Sequence, residues 1–269
     1  MSTYRTEGVI LRRSNFGEAN LLLHIFTKDF GKVEAVGKSA RKAQGKLKGH
    51  LEPFLYSDFV LVHGKKMDTV ANSFVMDAFL NLRGEMELIL FSSVISEIAD
   101  RITIENYHDE KMFYLILESI NALEGASTEE KNFLWLVILF FEINALSLSG
   151  FAPQSENCVF CSEKPRPGKN YFSFSLGGVL DHGCAQRCPD AFAVSDDTVK
   201  LLRFLSVTVT KGEEYDDIVK SKLSELRRLS VDRAVILRSA LVMKNFVEFN
   251  IDQKINSLEV LCNFAREEI

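Results

Sequence analysis

The chain has 269 residues, 46% of them apolar and 26% charged, with a net charge of −5. That is enough apolar material for a buried core in one or two domains, and too much for a disordered chain. The acidic balance argues against a surface that is basic all over, and the mixed residues 1–13 lack the apolar run of a secretory leader, so a cytoplasmic protein is expected.

The first eighty residues alternate and break like a small barrel. Apolar and β-branched residues at 5–14 meet a turn at Asn15-Phe16-Gly17, residues 19–27 end at Lys28-Asp29-Phe30-Gly31, and 33–38 make a third short strand. Strands at 54–63 and 67–74 flank Gly64-Lys65-Lys66. Five strands in about seventy residues, with one long loop after the third, fit an OB-type barrel and also an SH3-like one.

Charge is unevenly placed along this head. Residues 1–50 carry ten Lys/Arg against four Asp/Glu, a balance of +6, which leaves −11 for the remainder. A basic end on an acidic body points to a polyanion met at that end. Residues 38–48 hold little to bury and read as a mobile loop suited to phosphates, which gives Lys38, Arg41, Lys42, Lys46 and Lys48, with Arg12 and Arg13, as candidate DNA-binding residues. Phe16, Phe26, Phe30, Phe54, Tyr56 and Phe59 are candidate stacking rings, most of them better suited to a core.

From residue 85 the period becomes helical. Leu88, Phe91, Val94, Ile95, Ile98 and Ile102 form one stripe over 85–105, and Met112, Leu115, Ile116 and Leu123 form another over 111–123. Ser127-Thr128-Glu129-Glu130 fits a capping box that opens a helix over 129–148. Its apolar run 133–141 rises only about 14 Å, half a bilayer's hydrocarbon, so a core helix is expected and no membrane partner. After a break marked by Gly150, Pro153 and Pro165, helices are predicted at 195–211, 215–228, 231–250 and 257–268.

The break contains Cys158-x2-Cys161 and Cys184-x3-Cys188. Two short-spaced thiol pairs suit one tetrahedral zinc ion, and a hairpin through Tyr171–Ser175, Gly177-Gly178 and Val179-Leu180 returns the second pair to the first. Four thiolates close the shell, so a structural and not a catalytic ion is expected. Cys262 lies on an apolar helix face and reads as core. His108-Asp109-Glu110 followed by Cys158-x2-Cys161 partly matches a zinc-deaminase pattern, but Asn157 stands where Pro is required and two cysteines would be idle. No phosphate loop, nucleophile elbow or metalloprotease motif is present.

The segments Thr6-Glu7-Gly8-Val9-Ile10-Leu11, Phe16-Gly17-Glu18-Ala19-Asn20-Leu21, residues 26–32, Gly37-Lys38-Ser39-Ala40-Arg41 and Leu51-Glu52-Pro53-Phe54 resemble the opening of the RecO family, and the four-Cys motif in a helical body is similar too. The resemblance implies an α+β protein: an N-terminal OB-fold β-barrel over residues 1–80, then a mostly α-helical domain over 81–269 with a zinc-binding insertion at about 152–192. It implies a non-enzymatic mediator that binds single-stranded DNA, and double-stranded DNA as a further possibility. Such a mediator anneals complementary strands and helps load the RecA recombinase, with RecR and the C-terminal tail of single-strand-binding protein as partners. The alternative class is a zinc-stapled adaptor whose barrel binds protein instead of DNA. For the tail, a groove among the late helices near Lys200, Arg203 or Arg227 is a guess.

Overall fold

A computed structural model describes residues 2–42, 44–208 and 212–267; Ala43, the 209–211 end of one expected helix and residue 268 lie outside the described residues. The chain divides into two compact units, Met1–Gly125 and Ala126–Ile269.

In the first unit, β1 (Thr3–Phe16), β2 (Asn20–Thr27), β3 (Gly31–Gly37), β4 (Tyr56–Val62) and β5 (Asp68–Asp77) close a barrel in the order β1-β2-β3-β5-β4. The β1–β2, β2–β3, β4–β5 and β1–β4 ladders are antiparallel, and a short parallel pairing of Ala35–Val36 with Asp68–Thr69 shuts the barrel. This is the OB-like order, which separates it from the SH3-like alternative. Alternate residues point inward as the period requires: Ile10, Leu21, Leu23, Ile25, Val33, Ala35, Phe59, Leu61 and Val70 make the interior.

The loop after β3 is anchored, contrary to the expectation of a mobile one. Ala40, Leu47 and Leu51 are buried in the barrel's core cluster. Successive turns are pinned by Lys42 N–H to Ser39 O (3.0 Å), Gly45 N–H to Lys42 O (2.9 Å) and Lys48 N–H to Gly45 O (3.0 Å). Three small or branched apolar residues spaced among the lysines are enough to bind the loop down while every Lys stays outside.

Three helices complete the unit: α1 (Leu80–Gly84), α2 (Met86–Ile102) and α3 (Glu110–Glu124). The expected stripes on α2 and α3 are buried. Asp109 caps α3 by accepting the Met112 N–H at 2.9 Å. α2 packs on β1, and its end touches β2 and β3 at His24 and Lys32. There His24 Nδ1 meets Asp100 at 2.6 Å, the Lys32 ammonium lies 3.6 Å from the same carboxylate, and the Asn106 N–H donates to Lys32 O at 2.8 Å. Gly31 has φ 68° and a Cβ there would stand 1.8 Å from the Tyr107 carbonyl oxygen, so only glycine admits this close approach.

The second unit is built on α4 (Lys131–Leu148), packed by α6 (Asp196–Leu205), α7 (Tyr215–Leu226) and α8 (Arg233–Ile251), with α9 (Asn256–Glu267) following. α4 is long and apolar enough to cross a membrane, but 78% of it is buried within the protein, as a core helix would be. Its start partly follows the predicted box: Glu130 accepts the Ser127 N–H at 2.9 Å, while the Ser127 hydroxyl accepts from Glu129 N–H at 3.2 Å. Glu130 also pairs with Arg227 at 2.7 Å. Between α4 and α6 lies a small sheet of β6 (Asn170–Ser173), β7 (Gly178–Asp181) and β8 (Phe192–Val194) in the order β7-β6-β8, with the short α5 (His182–Ala185) after β7. The edge contact of Phe172 with Phe246, centroids 5.4 Å apart, fixes this sheet to α8.

Candidate nucleic-acid interface and metal centre

The barrel's basic residues fall into two groups. Arg5 is paired with Asp58, Arg13 with Glu52, Lys28 with Glu110 at 3.8 Å and Lys32 with Asp100. These partners lie beyond residue 50, so the acidic body neutralises much of the basic head. Burial alone would raise the Asp100 carboxyl, but the His24 hydrogen bond and the charges of His24 and Lys32 outweigh it and hold the group below its ordinary range. Lys38, Lys42, Lys46 and Lys48 stand exposed, with no ion-pair partner among the described residues. Arg41 spends one guanidinium nitrogen on the carbonyls of Gly17 (3.3 Å) and Glu18 (3.2 Å), which holds its charge in place without cancelling it.

Between this loop and the β1–β2 turn runs an open groove of about 530 Å³, with Arg13, Asn15, Arg41, Lys48 and Glu52 on its walls. Phe16, 39% exposed, is at the end of β1 beside it. The structure thus brings Arg13, Arg41 and Lys48 together and keeps Lys38, Lys42 and Lys46 on the same loop. Arg12 is separated from them: a bulge in β1 between Ile10 and Arg12 sets its register, and its charge acts on Asp100 at the α2 side. Of the rings proposed for stacking, Phe26, Phe54 and Phe59 are buried and Tyr56 is tied to Glu7, which leaves Phe16 and Phe30.

Residues 100–107 meet β2 and β3 at His24, Lys32 and Gly31, while Leu22, His24, Glu34 and Val36 on the outward side of these strands stay partly exposed. Nothing in the periodicity of the strands could reveal these contacts, since they come from residues 100–107.

In the second unit, Cys158, Cys161 and Cys184 place their sulfur atoms within 4.8 Å of one another. The Cys158-x2-Cys161 turn is set by Ser162 N–H donating to Cys158 O at 2.8 Å, with Ser162 at φ 63°. Gly178, whose Cβ would stand 2.5 Å from Gln154 O, lets the incoming segment lie on the hairpin. Burial works against ionisation of Cys158, but backbone N–H groups of Asp181, Cys161 and Phe160 outweigh it and hold the thiol below its usual range. Cys184 is pushed up to about 12 by desolvation and by the neighbouring Cys161 and Cys158 sulfurs. Three cysteine sulfurs converging this closely are a donor set that fits a soft divalent ion such as zinc.

Cys188 is not brought into that set. Its thiol donates to Asp190 at 2.9 Å and lies 3.3 Å from the Ser173 hydroxyl, although its side chain packs on the same small cluster as Cys158 and Leu180. His182 is also outside the set, with Nδ1 3.2 Å from the Tyr171 hydroxyl. Cys262 is half-buried on α9.

Lys200, Arg203 and Arg227 are each paired, with Asp197 (3.0 Å), Glu156 (3.0 Å) and Glu130, and so do not form a free basic rim.

Residues 83–259 match the family described as Recombination protein O C terminal, and residues 1–79 match Recombination protein O N terminal. A protein named DNA repair protein RecO from Dehalococcoides mccartyi (strain CBDB1) is 30% identical over 95% of this chain and 93% of its own length. Proteins of the same name from Alkaliphilus metalliredigens (28%, 95% of this chain and 97% of theirs) and Thermoanaerobacter sp. (27%, 96% and 99%) are similar over comparable spans. With both halves matched and relatives aligned end to end, the chain belongs to the recombination protein O (RecO) family.

Proposed function

We propose that this protein is a DNA-repair mediator that binds single-stranded DNA at the loop end of its barrel and anneals complementary strands. The observation that carries this reading is the separation of charge: the loop's lysines stand unpaired, with Arg41 and Lys48 on a groove wall, whereas Arg5, Lys28 and Lys32 elsewhere on the barrel are tied to carboxylates. Lys38, Arg41, Lys42, Lys46 and Lys48, with Arg13, contact phosphates, and Arg12 adds its field from the α2 side. Phosphate neutralisation releases counterions and lowers the repulsion between two strands, so annealing needs no covalent step and no nucleotide hydrolysis. Double-stranded DNA meets the same cations with fewer exposed bases to stack.

Membership in the family supports the rest of the reading. The protein works in the cytoplasm on nucleoid DNA, helps load RecA onto strands coated by single-strand-binding protein, and has RecR and the acidic C-terminal tail of that coating protein as partners. Cys158, Cys161 and Cys184 would hold zinc, with Cys188 as the fourth ligand that the cysteine spacing offers. The ion supplies a cross-link between the two ends of the hairpin. The test is the rate at which two complementary oligonucleotides pair with and without the protein. Acceleration at low salt that fades as salt rises supports the mediator. No acceleration and no strand binding would transfer the barrel to an adaptor role.

A further inference from the structure

The opposite end of β1 carries a second cluster that the groove does not use. His63, with its side chain 52% exposed, stacks on Tyr4 with centroids 4.4 Å apart and planes 25° from parallel. Tyr4 in turn meets the edge of Phe30 at 4.6 Å, and Phe30 is 37% exposed. Three rings from β1, the β2–β3 turn and the end of β4 thus form a short column at the mouth of the barrel.

One carboxylate sets the column's orientation. Asp68 accepts the Tyr4 hydroxyl, accepts the Gly64 N–H at 3.1 Å and lies 3.5 Å from His63 Nδ1. The chain after His63 turns sharply: a Cβ on Gly64 would stand 1.8 Å from Met67 O. That turn holds Lys65 and Lys66 exposed two and three positions after His63, with no ion-pair partner among the described residues. Oriented rings that open to solvent, flanked by two free cations, combine the two chemistries that a single strand offers, flat bases and phosphates.

We propose that the His63–Tyr4–Phe30 column is a base-stacking site for single-stranded nucleic acid, with Lys65 and Lys66 holding the adjoining phosphates. It rests on the proposed single-strand binding and adds a second contact to it. From Tyr4 to Arg13 is nine residues of strand, about 30 Å, so a long oligonucleotide reaches both places and a short one reaches only one. The column is also suited to reading presence or absence of a base, which the phosphate groove is not.

The experiment compares wild type, His63→Ala, His63→Phe and Lys65→Ala/Lys66→Ala by anisotropy of a labelled thirty-residue oligothymidine, and of the same strand with abasic sites throughout. Stacking at His63 predicts about tenfold weaker binding of the intact strand by His63→Ala, recovery by His63→Phe, and no difference between the three proteins on the abasic strand. Lys65→Ala/Lys66→Ala should weaken both strands and flatten the salt dependence. Equal loss on intact and abasic strands in His63→Ala, or failure of Phe to restore binding in a variant that melts like wild type, would overturn the stacking site. Wild type that binds neither strand would instead remove the single-strand reading on which it rests. Wild type that binds well while His63→Ala is unchanged on the intact strand overturns this site alone.

Discussion

Replacing Glu52 with Gln should tighten single-strand binding. Glu52 is the one carboxylate among the described residues of the groove wall, and it occupies Arg13, with both side chains more than a quarter exposed. An ion pair this exposed contributes about 0–1 kcal/mol, which an incoming phosphate must overcome to use Arg13. A carboxylate about 7 Å from a phosphate in water adds roughly 0.5 kcal/mol of repulsion before salt screening. Together these give about 1 kcal/mol, or roughly fivefold in affinity at low salt. Gln is nearly isosteric, and Arg83 holds the neighbouring Pro53 carbonyl independently, so the wall keeps its shape. The assay is anisotropy of a labelled oligonucleotide between low and physiological salt. If Arg13 is freed for one more phosphate, the slope of log affinity against log salt steepens by about 0.7. Weaker or unchanged binding with an unchanged slope would refute the claim that Glu52 competes for the groove.

Other outcomes follow from the second unit. Glu142 on α4 is 1% exposed and neither carboxyl oxygen has a hydrogen-bond partner, so desolvation holds it well above its ordinary 4.5, partly opposed by Lys244 and reinforced by Glu248. Burial favours the neutral carboxyl in the fold, whereas the unfolded chain ionises it above about pH 4.5, so stability falls as pH rises from there toward the raised folded value. Glu142→Met should therefore raise the unfolding free energy by about 1–3 kcal/mol and flatten its alkaline dependence, read from urea melts at pH 6 and 8.5; a less stable variant would contradict this. Glu130 is held at about 2 by the Arg227 guanidinium and the Ser127 N–H. Its contribution is present above pH 4.5 and lost as pH falls toward 2. Solvent screening limits it to about 1 kcal/mol, and Glu130→Gln should remove that share of the acid transition in a pH melt. Cys184→Ser should lower bound zinc measured by elemental analysis and expose residues 154–194 to protease, whereas Cys262→Ser should leave the metal content unchanged.

Much of the barrel was legible because alternation and turn residues are local signals, and the Cys hairpin because its spacing implies a return. What escaped depends on contacts distant in sequence. The 38–48 segment looked polar because Ala40 and Leu47 are isolated among lysines, yet the barrel mouth buries both. The carboxylate that meets His24 and Lys32 comes from the end of α2. Cys188 has ligand spacing, but the spacing carries no information about Asp190, which takes its thiol. β8 is only three residues long, too short for an alternation to register. His63 carries no local signal, because the ring it stacks on, Tyr4, lies fifty-nine positions away in the chain.

The central claim is that the unpaired loop cations form the strand-binding surface. It is tested most directly by the salt dependence of oligonucleotide anisotropy for wild type and for Lys38→Ala/Arg41→Ala/Lys42→Ala/Lys48→Ala, with Lys200→Ala/Lys220→Ala as a charge control in the second unit. The variant's slope should be shallower by about two to three, from roughly 0.7 per lost phosphate contact, and the control should behave as wild type. A loop variant with the wild-type slope, or a control that loses as much, would contradict it.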